Sequence, residues 1–217
     1  MTRPLRLLCT ALVGAAVFTV LAPASGAASG TTTCNATLAP GNYAKVVVPM
    51  GALCTSNGPV TITGGLFIQP GATFVLGDES MPGDNGTITG GVHATNPMSV
   101  RIHFTTIVGG LDIRGGSGPF GGPFEITWNA IEDNHLTGNV AIDGYNGFWM
   151  GFIRNTVTGN VRMTNNTLAD PDGNEYVTNT IVGNFACAGN APAPQVGDSE
   201  GSPNQVTGTK SGQCAAI

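Results

Sequence analysis

The sequence predicts an all-β fold: a single-stranded, right-handed parallel β-helix of about seven coils, clamped by a disulfide at each end. Three observations carry that prediction. The stretch Asn155-Thr156-Val157-Thr158-Gly159-Asn160-Val161-Arg162-Met163 recurs over residues 134–142 and 179–187, and weaker copies run through most of the chain. Aligned on the glycine that follows Thr or Val, the copies fall at Gly64, Gly90, Gly109, Gly138, Gly159, Gly183 and Gly208, separated by 26, 19, 29, 21, 24 and 25 residues. On both sides of each glycine, apolar residues alternate with polar ones. Period-two alternation marks strands with one buried face. A unit repeated at this spacing marks a solenoid, because one coil alone cannot bury its apolar side.

Taken in order, residues 1–28 read as a secretory signal peptide. Arg3 and Arg6 precede an uncharged apolar stretch from Leu7 to Leu21, and small residues follow at Ala22, Ala24, Ala27 and Ala28. The apolar stretch is short for a spanning helix, which needs about 20 residues. Residues 29–217 read as one β-helix domain, exported to the extracellular space or cell surface, with no further membrane span.

The leader contains Cys9, so the exported part keeps Cys34, Cys54, Cys187 and Cys214. An even cysteine count in an exported protein favours disulfides. The pairing Cys34–Cys54 and Cys187–Cys214 is expected, because each pair is close in sequence, about one coil apart, and sits at one end of the array. Zinc is the rival reading, but no C-x-x-C spacing is present.

Between the ends, Leu66, Val92, Leu111, Val140, Val161 and Phe185 should stack as one core column. A second column should run from Ile62 through Ile88, Ile107, Leu136, Val157 and Ile181 to Val206. The glycine and the residue after it form the bend, since Gly and Asn tolerate positive φ. Asn139, Asn160 and Asn184 should stack at that bend, and Asn134, Asn155, Asn179 and Asn204 at another, their amides hydrogen-bonding along the stack. Three polar, Gly- and Pro-rich outgrowths interrupt the coils, at 78–86, 115–123 and 188–203.

The whole chain carries a formal charge of −5, and losing Arg3 and Arg6 leaves −7. That excludes nucleic acid and anionic membrane surfaces as expected partners. Charged residues make up only 10% of the chain, well below the roughly 25% of ordinary soluble domains.

For chemistry, Glu132 and Asp133 form the best local carboxylate cluster, with Asp112 and Asp143 near other bends; glycoside hydrolysis needs two such groups. The N-T-D, G-H-G and R-I-K motifs of pectin-degrading hydrolases are missing. A uronate lyase wants basic residues, and beyond the leader the chain has only Lys45, Arg101, Arg114, Arg154, Arg162 and Lys210. Asp170, Asp172 and Asn174 place oxygens at alternate positions, as a Ca²⁺ loop does, but Asp-Pro and Asp-Gly are also ordinary turn pairs. His93, His103 and His135 are scattered over different coils. Tyr145, Phe148, Trp149 and Phe152 form the aromatic cluster, either a sugar-stacking surface or a cap over the core.

At the repeated T-G-N-V motif and the tail N-F-A-C-A-G-N-A-P-A-P…G-T-K-S-G-Q-C, the chain resembles small secreted β-helix proteins of actinobacteria. The likeness covers nearly the whole exported part and implies fold and export, not an activity. A more distant resemblance is to bactofilins, polymer-forming β-helices without a leader or these disulfides. The fold is also similar to that of β-helix polysaccharide lyases and hydrolases.

Two functions follow as expectations. The first is a non-catalytic structural or adhesive role at the cell envelope or outside it, with polysaccharide or envelope components as partners and no assigned catalytic, cofactor or metal residue. The alternative is a carbohydrate-active enzyme or binding module. An open groove holding two carboxylates, or Arg154 and Arg162 beside an acid cluster, favours the alternative. A smooth surface with stacked asparagine bends favours the first.

Overall fold

A computed structural model describes residues 29–118, 129–196 and 201–217. The expected leader, the end of the 115–123 outgrowth and part of the 188–203 loop lie outside these residues. The chain winds repeatedly through three sheets in a fixed order. Sheet A has nine strands, from Thr31–Thr33 to Lys210–Gly212; sheet B has seven, from Thr37–Leu38 to Asn174–Val177; sheet C has eight, from Gly41–Tyr43 to Gln205–Val206. Strands of successive coils pair in parallel. This is a parallel β-helix, and the alternation in the sequence is the inward–outward alternation of its strands.

Both predicted core columns are present in register. Leu66, Val92, Leu111, Val140, Val161 and Phe185 are successive partners in sheet A, each at most 1% exposed. Ile62 to Val206 form the matching column of sheet C. Burying each such side chain contributes roughly 1.5–3 kcal/mol. The seven aligned glycines all lie where sheet C hands over to sheet A. An eighth such bend, at Ala44, carries no glycine and so escapes the sequence alignment. The bend is tight: a Cβ on Gly159, whose φ is 150°, would lie 2.1 Å from the carbonyl oxygen of Gly138.

The asparagine ladders are also present. At the bend from sheet B to sheet C, Nδ2 of Asn134 donates to Oδ1 of Asn155 (3.1 Å), Asn155 to Asn179 (3.0 Å) and Asn179 to Asn204 (2.8 Å). The same amides also donate to the carbonyls of Ile102, Ile131, Phe152 and Tyr176, so these buried groups are fully engaged. At the bend from C to A, Asn184 donates to Asn160 (3.1 Å) and Asn160 to Asn139 (3.4 Å), on the exposed surface. A third ladder occupies the bend from A to B, where Oδ1 of Asn166 accepts from the Tyr145 amide and Oδ1 of Asn190 from the Asn166 amide. Its sequence signal is the residue pair Asn165-Asn166 recurring as Gly189-Asn190.

Sheet B departs from the one-buried-face expectation. Asn129–Glu132, Met150–Ile153 and Asn174–Val177 are buried at every position. Their inner face meets the core, and their outer face is overhung by the outgrowth at 78–86 and by residues around Phe148, Trp149 and Asp170. Disulfides join Cys34 to Cys54 and Cys187 to Cys214, as expected. The last coil is closed by the 3-10 turn Gln213–Ala216, which buries Cys214, while Nζ of Lys210 donates to the Ile217 carbonyl (2.8 Å).

Candidate functional site

The overhang on sheet B encloses a groove of about 490 Å³. Its floor comes from one register of the sheet: His103 is the ladder partner of Glu132, and Glu132 of Ile153. The next residue in each coil takes a left-handed conformation, with φ of 50° at Phe104, 57° at Asp133, 56° at Arg154 and 60° at Thr178. Such geometry disfavours side-chain-bearing residues by about 1–2 kcal/mol each. The buried asparagine ladder begins one residue later and holds these bends in place. Stacking therefore sets Asp133 and Arg154 side by side on the rim, directly after the floor residues.

Arg154 ties the cluster together. Its Nε donates to Oδ1 of Asp133 at 2.7 Å and its Nη2 to Oδ2 at 2.8 Å; Nη2 also reaches Oε2 of Glu132 at 3.1 Å and Oε1 of Glu79. Glu79 arrives from the 78–86 outgrowth, whose neighbour Asp78 pairs with Arg101 at 3.3 Å. Glu132 is 5% exposed. Burial, and then the hydrogen bond and charge of Glu79, push its carboxyl up to about 8, against the opposing pull of Arg154. The Glu79 carboxyl is held low, by its hydrogen bonds to Glu132 and Arg154. The Arg154–Glu132 contact has ion-pair geometry, but desolvation outweighs it, so Glu132 carries the shared proton at neutral pH. His103 is 1% exposed, neither ring nitrogen has a hydrogen-bond partner, and burial lowers its pKa. One ligand atom from each of His103, Glu132 and Asp133 lies within 4.8 Å of the others, the only such His, Cys, Asp and Glu group among the described residues. That span suits a cation, but Arg154 already supplies the positive charge there.

The groove wall is aromatic. Trp149 and Phe148 are half-buried, and Nε1 of Trp149 donates to Oε1 of Glu175 at 3.1 Å. The predicted aromatic cluster thus divides: Tyr145 and Phe152 lie in the core, whereas Phe148 and Trp149 line the groove.

Of the other sequence candidates, only Asp170 reaches the groove. Arg162, Asp112 and Asp143 sit on the outer face of sheet A, so Arg154 and Arg162 do not converge despite sharing one repeat. Asp170 and Asp172 form a turn, in which the Asp172 amide donates to Oδ1 of Asp170 at 3.1 Å. Asn174 is buried and engaged with Tyr176 and Pro192, so it does not join the two aspartates. Of the three histidines, His103 is brought to the acids across 29 residues. The spacing of Gly109 and Gly138, also 29, contained that juxtaposition. Comparison with known proteins gives no match: no family model, curated protein or solved structure aligns with the chain.

Proposed function

We propose that the groove on sheet B is a saccharide-cleaving acid–base site of an exported β-helix protein. The observation that carries this reading is the buried Glu132 carboxyl at the groove floor, its proton shared with Glu79, beside an Asp133 carboxylate fixed by Arg154. Neighbouring carboxyls whose environments drive them apart are the usual assignment of acid and base. Glu132 and Asp133 bring one carboxylate oxygen each to within 4.8 Å of the other, short of the roughly 6.5–9.5 Å that inverting enzymes leave for a water, which favours the retaining scheme. In that scheme Glu132 gives its proton to the departing glycosidic oxygen as the C–O bond breaks. Asp133 forms an ester with the anomeric carbon, and water deprotonated by Glu132 then releases the sugar. Acids outnumber cations in the groove, so it suits neutral or amino sugars rather than polyuronates.

The test is a panel of neutral, amino-sugar and uronate polysaccharides, assayed for new reducing ends and for unsaturated products, with and without Ca²⁺. The expected result is reducing ends from a neutral or amino-sugar polymer, no unsaturated products, and a loss of 10²-fold or more in Glu132→Gln, the order of general-acid contributions. Silence across the panel, or turnover indifferent to Glu132→Gln, overturns the reading.

The second reading is the non-catalytic structural or adhesive role. One observation favours it: the outer face of sheet C is bordered by the exposed ladder of Asn139, Asn160 and Asn184.

A further inference from the structure

The repeat that organises the sequence has an outward-facing half, which the groove does not use. In sheet C the tripeptides Thr61-Ile62-Thr63, Thr87-Ile88-Thr89 and Thr156-Val157-Thr158 each bury the central residue and turn both threonines outward. Thr106-Ile107-Val108 and Thr180-Ile181-Val182 are near copies, and His135-Leu136-Thr137 and Gln205-Val206-Thr207 are variants. The register is unbroken through all seven, so two files of side chains run through seven of the eight strands of sheet C.

Three properties of this face go together. It is a lattice: neighbours along a file are about 4.7–4.9 Å apart, and the two files about 6.6 Å apart, twice the rise per strand residue. It has no Asp, Glu, Lys or Arg at any outward position, in a chain of formal charge −5. Among the described residues it is also unobstructed. The outgrowths leave the coil at the A-to-B and B-to-C bends, whereas from Gly64 onward the C-to-A bend is never longer than three residues. Strand propensity accounts for threonine here. It does not separate this face from the outer face of sheet A in the same chain, which carries Asp112, Arg114, Asp143 and Arg162.

We propose that the outer face of sheet C binds ice. The file spacing is close to the oxygen repeat along an axis of the ice lattice, and a neutral crystal of water is matched by a face without charge. Each threonine offers a methyl group that orders adjacent water and a hydroxyl that joins the resulting network. Its branched Cβ restricts χ1, so little rotamer freedom is lost on contact. Val108 and Val182 keep the shape and the methyls at their positions. This inference is independent of the groove.

The test uses the exported, disulfide-bonded chain. It is frozen slowly in dilute solution, and its partition into the growing ice is measured together with thermal hysteresis and inhibition of ice recrystallisation. Enrichment in the ice fraction with faceted crystal growth is expected. Thr158→Lys, which sets a charge inside one file, should reduce the hysteresis several-fold. Thr95→Lys on sheet A and Glu132→Gln in the groove should leave it unchanged, with melting curves verifying that all three variants fold. Exclusion of the wild-type chain from ice, or equal loss in Thr95→Lys, overturns the proposal. So does exclusion from ice with retention on particulate polysaccharide, which would assign the face to a saccharide crystal.

Discussion

The ring of Trp149 lies over the backbone of Gly151, so that a Cβ on Gly151 would sit 2.1 Å from Cη2 of the indole and 2.8 Å from Oε1 of Glu132. The glycine is there for space. A methyl group at this point must displace the indole from the groove wall and break its bond to Glu175. Gly151→Ala should therefore destabilise the fold by about 1–3 kcal/mol, the cost of overpacking, and shift the tryptophan emission toward that of a solvated indole. Unchanged fluorescence would show that the ring is not seated on Gly151.

The buried and exposed asparagine ladders should differ sharply in worth. Asn155 makes four side-chain bonds, to Ile131, to Asn179 and two to Asn134. Asn155→Ala leaves buried donors and acceptors unpaired, at about 1–3 kcal/mol for each. Asn160 stands in solvent, where water replaces lost partners, and Asn160→Ala should cost less than about 1 kcal/mol. Denaturant midpoints of the two variants decide the point; equal losses would mean that burial does not set the value of a rung.

Glu132 predicts a pH signature. A carboxyl whose pKa is raised on folding binds more protons in the folded state, so its contribution fades as pH rises toward about 8. His103 has the opposite sign, because its lowered pKa removes stability as pH falls below its ordinary value. The window from about pH 6.5 to 8 therefore isolates Glu132, and stability should decline there by at most about 1.4 kcal/mol per pH unit. Glu132→Gln should flatten that slope in chemical denaturation, and a slope unchanged by the substitution would place the proton elsewhere.

The two disulfides close loops of 20 and 27 residues. In the chain-entropy account each contributes roughly 3 kcal/mol. Replacing Cys34 and Cys54 together by serine should lower stability by about that amount. The first coil should then exchange its amide hydrogens ahead of the central coils, because the ends have neighbours on one side only. Uniform loss of protection along the chain would argue against end clamps.

Architecture was legible in the sequence because stacking repeats one physical problem in every coil. Ile62, Ile88 and Ile107 must bury the same face, and Gly90 and Gly109 must make the same bend. The groove was only half legible. Glu132 and Asp133 were visible as neighbours, but Glu79 reaches Arg154 across 75 residues, through an outgrowth that follows no repeat. The left-handed bend at Arg154 was hidden as well, since arginine does not signal positive φ, whereas Asp133 is of a type that enters that region more readily. The threonine files lay in plain view within the repeat, but their meaning depends on the unbroken register and on where the outgrowths leave the coil.

Each interior rung of the buried ladder donates to the next coil and accepts from the one before, so nothing in the body of the solenoid specifies where it should stop. Asn134 and Asn155 are 21 residues apart, and a tandem duplication of residues 134–154 would meet matching partners above and below. The buried ladder by itself therefore sets no length. A gene that repeats one coil would extend every outer face by one strand, about 4.8 Å, while continuing the buried ladder.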